Sequence, residues 1–217
     1  MNFVAGIHPS ALELPHPLEI TGSAELGTVL SGHIVLRGAA TAGRVGVLRH
    51  LRFSHFYNPA VTLHGGSWRF EDCVIDSSRR NARSCAGIVV CGGVTLELNN
   101  CTIAAASAAV NLCEAGCELR AHSSTFRNVR SAVLCERGGT VVVDACRFEG
   151  LTGSDVGLRL SADTVGEVRG NSVTRAGALW GRLAPPTGVV FIDAAAADDD
   201  ELAVVEAEMG GMLLQPP

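Results

Sequence analysis

The chain has 217 residues, of which 47% are hydrophobic and 18% are charged, and its formal net charge is −5. This composition excludes disorder over most of the length, and no apolar run reaches the roughly 18 residues that a membrane-spanning helix needs. All 17 basic residues are arginine, which excludes chemistry that requires lysine, and the dispersed arginines with a net negative charge argue against nucleic acid as a partner.

The first 43 residues are irregular in pattern. Residues 1–17 contain three prolines and lack a basic segment followed by an apolar run, so no secretory signal is visible. We therefore expect a cytoplasmic location, where free thiols are the default for the eight cysteines. We expect residues 1–17 to cover one end of the fold and residues 18–43 to form one or two irregular turns of it.

From residue 44 the chain repeats with a period near 23, in segments 44–66, 67–93, 94–116, 117–139, 140–163 and 164–186. Each segment contains short apolar alternations such as Leu96/Leu98, which indicate strands. Three strands per segment, joined by short turns, predict one turn of a parallel β-helix, and a stack of about seven turns shares one core. The outward residues Arg69, Glu97 and Arg120 alternate in charge, which favours the pairing of neighbouring strands.

The segment 194–217 differs from the repeats. It is rich in alanine, has an acidic run at residues 198–201 and contains Gly210 and Gly211. This pattern favours a short capping helix, with a solvated acidic tail as the alternative. We therefore divide the chain into a β-helix over 1–193, with an irregular N-terminal cap over 1–43, and an acidic C-terminal segment over 194–217.

Three segments have similar sequences after a Gly-Gly pair: GGSWRFEDCVI, GGVTLELNNCTI and GGTVVVDACRFEG. They resemble the repeats of the right-handed parallel β-helix, or pectin-lyase-like, superfamily, and most of all the β-helix modules of F-box-only and SHC-binding spindle-associated proteins. The resemblance covers roughly residues 18–192. It implies an all-β, single-stranded right-handed parallel β-helix, and it says less about function because such motifs record the geometry of a turn.

The cysteines recur at two predicted columns: Cys73, Cys101 and Cys146, with Ser124 between them, and Cys91, Cys113 and Cys135. Packing of a small side chain at a crowded corner explains both columns most simply. A zinc site is disfavoured because no CxxC pattern is present. A catalytic thiol is disfavoured because we find no histidine beside a cysteine in the predicted alignment. Disulfides between turns stay open if the compartment is oxidising.

Pairs of carboxylates are candidate catalytic groups, because the superfamily that the chain resembles includes polysaccharide lyases and glycosidases. A glycosidase needs two carboxyl groups about 5–9.5 Å apart. Asp76 and Glu149 share a predicted column but lie three turns apart, which is about 14 Å. Aromatic residues make up only 5% of the chain, and Trp68 falls at an inward position, so an aromatic sugar platform is not predicted. We expect no catalytic residue, no metal ion and no cofactor.

One segment contains an insertion of arginines around residues 78–84. Loops on a rigid scaffold often contain binding residues, and arginine binds carboxylate or phosphate groups. If the turns lie on one side, further arginines extend this insertion into a stripe; the alternative is a solvated loop without a partner. The candidate binding residues are Arg79, Arg80, Arg83, Arg127, Arg130 and Arg147.

The function that we expect is a non-enzymatic recognition or scaffold module with a protein partner. The first alternative is a protein that binds carbohydrate or resembles a polysaccharide lyase or hydrolase. The second is a structural component of a large assembly such as a cilium or a virion, because a stack of turns exposes strand edges at both ends.

Overall fold

The computed structural model describes residues 6–9, 12–23, 27–38, 43–54, 59–76, 86–104, 107–151, 156–174, 178–180 and 188–192. The secondary structure in these ranges is entirely β, in three eight-stranded parallel sheets. The expected C-terminal helix or tail, in 194–217, lies outside the described residues.

Each sheet takes every third strand in chain order. Sheet 1 consists of β1 (Gly6–Pro9), β4 (Thr28–Ser31), β7 (Leu51–Ser54), β10 (Val74–Asp76), β13 (Thr102–Ala104), β16 (Thr125–Arg127), β19 (Arg147–Glu149) and β22 (Ser172–Thr174). Sheet 2 consists of β2 (Leu12–Leu14), β5 (Ile34–Leu36), β8 (Val61–Leu63), β11 (Ile88–Val90), β14 (Ala108–Leu112), β17 (Ser131–Cys135), β20 (Val156–Leu160) and β23 (Ala178–Trp180). Sheet 3 consists of β3 (Glu19–Thr21), β6 (Val45–Arg49), β9 (Ser67–Glu71), β12 (Thr95–Asn99), β15 (Cys117–His122), β18 (Gly139–Asp144), β21 (Val165–Arg169) and β24 (Gly188–Ile192).

This topology confirms the predicted parallel β-helix with a period near 23. Every strand from β1 to β21 pairs in parallel with the strand three places further along the chain, so each turn contributes one strand to each sheet. The N-terminal residues differ from the expectation of a cover, because β1 and β2 already belong to sheets 1 and 2. They extend the stack by one further turn.

The core lies inside the three sheets and follows the predicted alternation. In sheet 3, Leu96 is in register with Trp68 on one side and Leu119 on the other, and all three side chains are fully buried. Stacking of like positions also brings Phe126 and Phe148 together, with ring centroids 5.4 Å apart. Each turn buries only a few side chains, so the core exists because neighbouring turns cover one another.

The corner between sheets 3 and 1 requires a left-handed backbone residue. Five non-glycine residues there have φ between 49° and 54°: His50, Asp72, Asn100, Ser123 and Ala145. The residue that follows the left-handed position points inward and is buried. We call these buried residues the corner column: Thr28, Leu51, Cys73, Cys101, Ser124, Cys146 and Asn171.

Hydrogen bonds explain why the corner column selects small polar residues as well as cysteine. Ser124 Oγ accepts a hydrogen bond from the backbone N–H of Cys101 at 3.1 Å, and Asn171 Oδ1 accepts one from the N–H of Cys146 at 2.8 Å. The cysteine thiols donate to backbone carbonyls, as Cys73 does to Leu48 O at 3.3 Å. The predicted packing role of the first cysteine column is confirmed, and the column also satisfies buried backbone groups.

The second predicted cysteine column is wrong for Cys135. The register places Cys135 opposite Leu112 and Leu160, at an inward position with 2% exposure. The physical reason is that the corner at 113–116 has one residue more than the corner at 91–93, so equal spacing along the chain does not preserve register. Cys91 and Cys113 remain neighbours on adjacent turns.

Candidate functional site

The predicted arginine stripe is only partly within the described residues. Arg79, Arg80 and Arg83 fall in 77–85, which lies outside them. That segment connects β10 to β11 in the chain. Arg130 lies in the corresponding connection between β16 and β17, at the corner between sheets 1 and 2.

Arg127 and Arg147 lie in strands rather than in the turns where they were expected. Arg127 ends β16 and Arg147 begins β19, so they occupy different columns on the outer face of sheet 1. Arg127 is in register with Glu149, while Arg147 is in register with Thr125. The two arginines therefore do not stack on one another.

Most arginines on the strands form an ion pair with a carboxylate, and Arg127 and Arg130 differ from them in this respect. Arg147 lies 3.6 Å from Glu149, and Arg52 lies 3.0 Å from Asp76. Arg127 and Arg130 are exposed and form no ion pair with any residue in the part of the chain that the structure describes. Their guanidinium groups therefore face solvent, and no described carboxylate lies within ion-pairing distance of either one.

The backbone that presents these two arginines is held firmly. Asn128 adopts φ of 54°, its N–H donates to Glu149 O at 2.9 Å, and the N–H of Arg130 donates to Ser107 O at 3.0 Å. Val129 between them is 2% exposed and packs in the core. The corner is thus fixed to the turns on both sides while its charged side chains remain outside.

A second polar surface runs along the outer face of sheet 3. Six residues in consecutive register form what we call the polar column: Arg49, Glu71, Asn99, His122, Asp144 and Arg169. Ion pairs join neighbours within it, including Arg49 with Glu71, and Arg169 Nε with Asp144 Oδ1 at 2.9 Å. In the adjacent column Arg69 pairs with Glu97, as the alternating charges predicted.

Ion pairing holds one carboxyl of the polar column in its charged form. The hydrogen bond from Arg169, supported by His122 at 3.3 Å, lowers the pKa of Asp144 below its usual range. A general acid needs the opposite shift, because it must hold a proton near neutral pH. Asp144 therefore suits binding and structure better than proton donation.

The register also confirms the separation of the carboxylates that were considered for glycoside hydrolysis. Asp76 and Glu149 lie in one column of sheet 1, with Ala104 and Arg127 between them. Three strand spacings amount to about 14 Å, which exceeds the distance that either glycosidase mechanism uses.

The pKa values of the two partly exposed thiols, Cys91 and Cys113, shift in the direction that opposes catalysis. Leu63 and Val90 are paired in register, so the residues that follow them, His64 and Cys91, are neighbours on adjacent turns. The expectation that no histidine lies beside a cysteine is therefore wrong at this position. Burial nevertheless raises the pKa of the Cys91 thiol, and burial with the neighbouring thiol raises that of Cys113 to about 11. A nucleophilic thiol needs a lowered pKa.

Two other kinds of ligand site, a metal site and an aromatic surface for sugar, find no support among the described residues. Within the described ranges, no group of three or more histidine, cysteine, aspartate or glutamate residues is placed to hold a metal ion. Trp68 is fully buried and its indole N–H donates to Gly65 O at 3.0 Å, as expected of a core residue.

Sequence reasoning missed the polar column as a surface. Its signal was present in the repeats, because each member directly precedes the left-handed corner position. The amino acid changes from each turn to the next, and only the register shows that these residues lie side by side.

Comparison with known proteins gave no match to a protein-family profile, a curated protein or a solved structure. Among the described residues there is no helix long and apolar enough to cross a membrane.

Proposed function

We propose that this chain is a non-enzymatic recognition or scaffold module whose lateral surface binds a protein partner. The observation that supports this most directly is the pair Arg127 and Arg130, which are exposed, lack ion pairs among the described residues and extend from a fixed corner. We propose that they contact carboxylate or phosphate groups of the partner.

The physical argument rests on preorganisation. Binding costs less when the interacting groups extend from a backbone that is already ordered. The hydrogen bonds of Asn128 and Arg130 and the buried Val129 provide that order. Arginine then offers several N–H donors in a planar arrangement that matches an anionic oxygen pair.

The resemblance to β-helix modules of F-box-only and SHC-binding spindle-associated proteins agrees with this proposal. The described cysteines are free thiols, which suits a reducing compartment, so the proposal includes a cytoplasmic location. Arg79, Arg80 and Arg83 lie outside the described residues, in the segment that connects β10 to β11, and the proposal includes them as an extension of this contact.

We expect the double variant Arg127→Ala/Arg130→Ala to weaken partner binding by roughly tenfold or more, because each guanidinium loses a charge-assisted hydrogen bond. Affinity capture from the native source, followed by titration of the captured protein, measures this. Wild-type binding should also weaken as salt concentration rises.

The matched control is Arg44→Ala/Arg137→Ala, which removes two exposed arginines that also lack ion pairs among the described residues. Neither lies in the corner between sheets 1 and 2. Equal loss of binding in both double variants would contradict a specific contact and indicate an effect of net charge. Undiminished binding in the Arg127/Arg130 variant would also contradict the proposal.

Carbohydrate binding is the second candidate, and the polar column favours it. Six consecutive turns present hydrogen-bonding side chains on one face of sheet 3, which is the dense polar surface that a sugar-binding groove uses. We propose Asn99 and His122, at its centre, as the contacts under this candidate.

This candidate predicts that a panel of acidic and neutral polysaccharides contains a ligand that binds saturably. Asn99→Ala/His122→Ala should abolish that binding, whereas Arg127→Ala/Arg130→Ala should leave it unchanged. The same incubations reveal a lyase through unsaturated products and show any calcium dependence. No binding by any member of the panel would reject the candidate.

A further inference from the structure

Cys91 and Cys113 lie side by side on adjacent turns. Each directly follows a residue of the registered pair Val90 and Leu112, and the N–H of Cys113 donates to Val90 O at 3.0 Å. Neighbouring strands are about 4.8 Å apart, which falls within the Cα separations of natural disulfides, about 4.4–6.8 Å. The two thiols are also close enough for each to influence the pKa of the other.

This pair is more accessible than the other described cysteines. Cys91 and Cys113 are partly exposed, whereas Cys73, Cys101, Cys117, Cys135 and Cys146 are buried. Cys73 and Cys101 are also neighbours, but each is 1% exposed and donates its thiol hydrogen to a backbone carbonyl. A soluble oxidant therefore reaches Cys91 and Cys113 before the other described cysteines.

We propose that Cys91 and Cys113 are a redox modification site, which a small-molecule disulfide of the glutathione class converts into a disulfide linking two turns. The inference is independent of the proposed recognition function.

The reaction proceeds by two thiol–disulfide exchanges. One protein thiolate attacks a sulfur of oxidised glutathione, forms a mixed disulfide and releases one glutathione thiolate. The second protein thiolate attacks the protein sulfur of that mixed disulfide and releases the second glutathione. The protein loses two electrons and two protons, and one oxidised glutathione becomes two reduced glutathiones.

The groups around the pair make this exchange slow at neutral pH. Burial raises the pKa of both thiols, Glu114 adds to the rise at Cys91, and Glu136 adds to it at Cys113. The buried Cys117 contributes in the same direction, and His64 is the neighbour of Cys91 on the other side. Since the thiolate reacts, the rate should rise by about tenfold per pH unit from pH 7 to 9.

The test incubates the folded full-length chain with oxidised glutathione at several pH values and follows the intact mass and the peptide map. We expect a mass loss of two hydrogen atoms and one linked pair of peptides containing Cys91 and Cys113. Cys91→Ser and Cys113→Ser should each remove this product and stop at a glutathione adduct, while Cys135→Ser should retain it. Circular dichroism verifies that the variants remain folded.

Other products would overturn the proposal. Stable adducts of two glutathiones on the wild-type chain would mean that the thiols cannot approach one another. A link from Cys91 to Cys85, which lies outside the described residues, would assign the chemistry to a different pair. An unmodified chain after long incubation at pH 9 would mean that neither thiol is accessible.

Discussion

Replacement of Trp68 by alanine should lower the free energy of unfolding by about 3–5 kcal/mol, the largest loss expected for a single substitution in this chain. Trp68 is fully buried, and its ring lies against Gly46 of the preceding turn. Removing the ring leaves a cavity between β6 and β12 that the rigid stack cannot close. Urea unfolding followed by far-UV circular dichroism measures the loss without relying on tryptophan fluorescence.

Gly46 provides a matched control through a double-mutant cycle. A methyl group at Gly46 would overlap the Trp68 ring, so Gly46→Ala alone should cost about 1–3 kcal/mol. In the Trp68→Ala background the same methyl group enters the cavity, so its cost should disappear. Additive losses would show that the two residues do not share one space.

Asn171→Leu should lower the free energy of unfolding by about 2–4 kcal/mol, because it removes two hydrogen bonds at a buried corner. Asn171 is 6% exposed; its Oδ1 accepts from Cys146 N–H at 2.8 Å and its Nδ2 donates to Val143 O at 3.0 Å. Leucine has no atom that can form a hydrogen bond with either backbone group. The same urea titration measures the effect.

Asn171→Ser is the informative control. Serine already occupies the equivalent position at Ser124, where its hydroxyl accepts from the N–H of Cys101 at 3.1 Å. We expect the serine variant to recover at least half of the stability that the leucine variant loses. If leucine and serine were equally stable at this position, the hydrogen bonds of the corner column would have no role in selecting its residues.

Much of the fold could be predicted because one repeated pattern determines it. Alternation at Trp68/Phe70 and Leu96/Leu98 specifies which side chains turn inward, since a shift of one residue would expose all of them. The period then implies stacking, because one turn cannot bury its apolar residues alone. These arguments are local and repeat in every segment, so irregularity in one turn does not affect the others.

The candidate site could be predicted less well because it depends on small differences between turns. Arg127 and Arg147 are both outward, yet one is free of ion pairs among the described residues and the other contacts Glu149. That difference follows from which column each occupies and from the reach of its side chain. Arg79, Arg80 and Arg83, which motivated the prediction, lie outside the described residues, and their role stays a prediction.

The amino-acid sequence by itself determined the class of fold, the three strands per turn and the inward positions, because alternation and period are properties of the chain. Only the tertiary structure decided which residues of different turns are neighbours. One additional residue at 113–116 moved Cys135 into line with Leu112 and left Cys91 beside Cys113. The reason is that backbone hydrogen bonds between turns fix register, and a corner can absorb a residue without any trace in the periodic pattern.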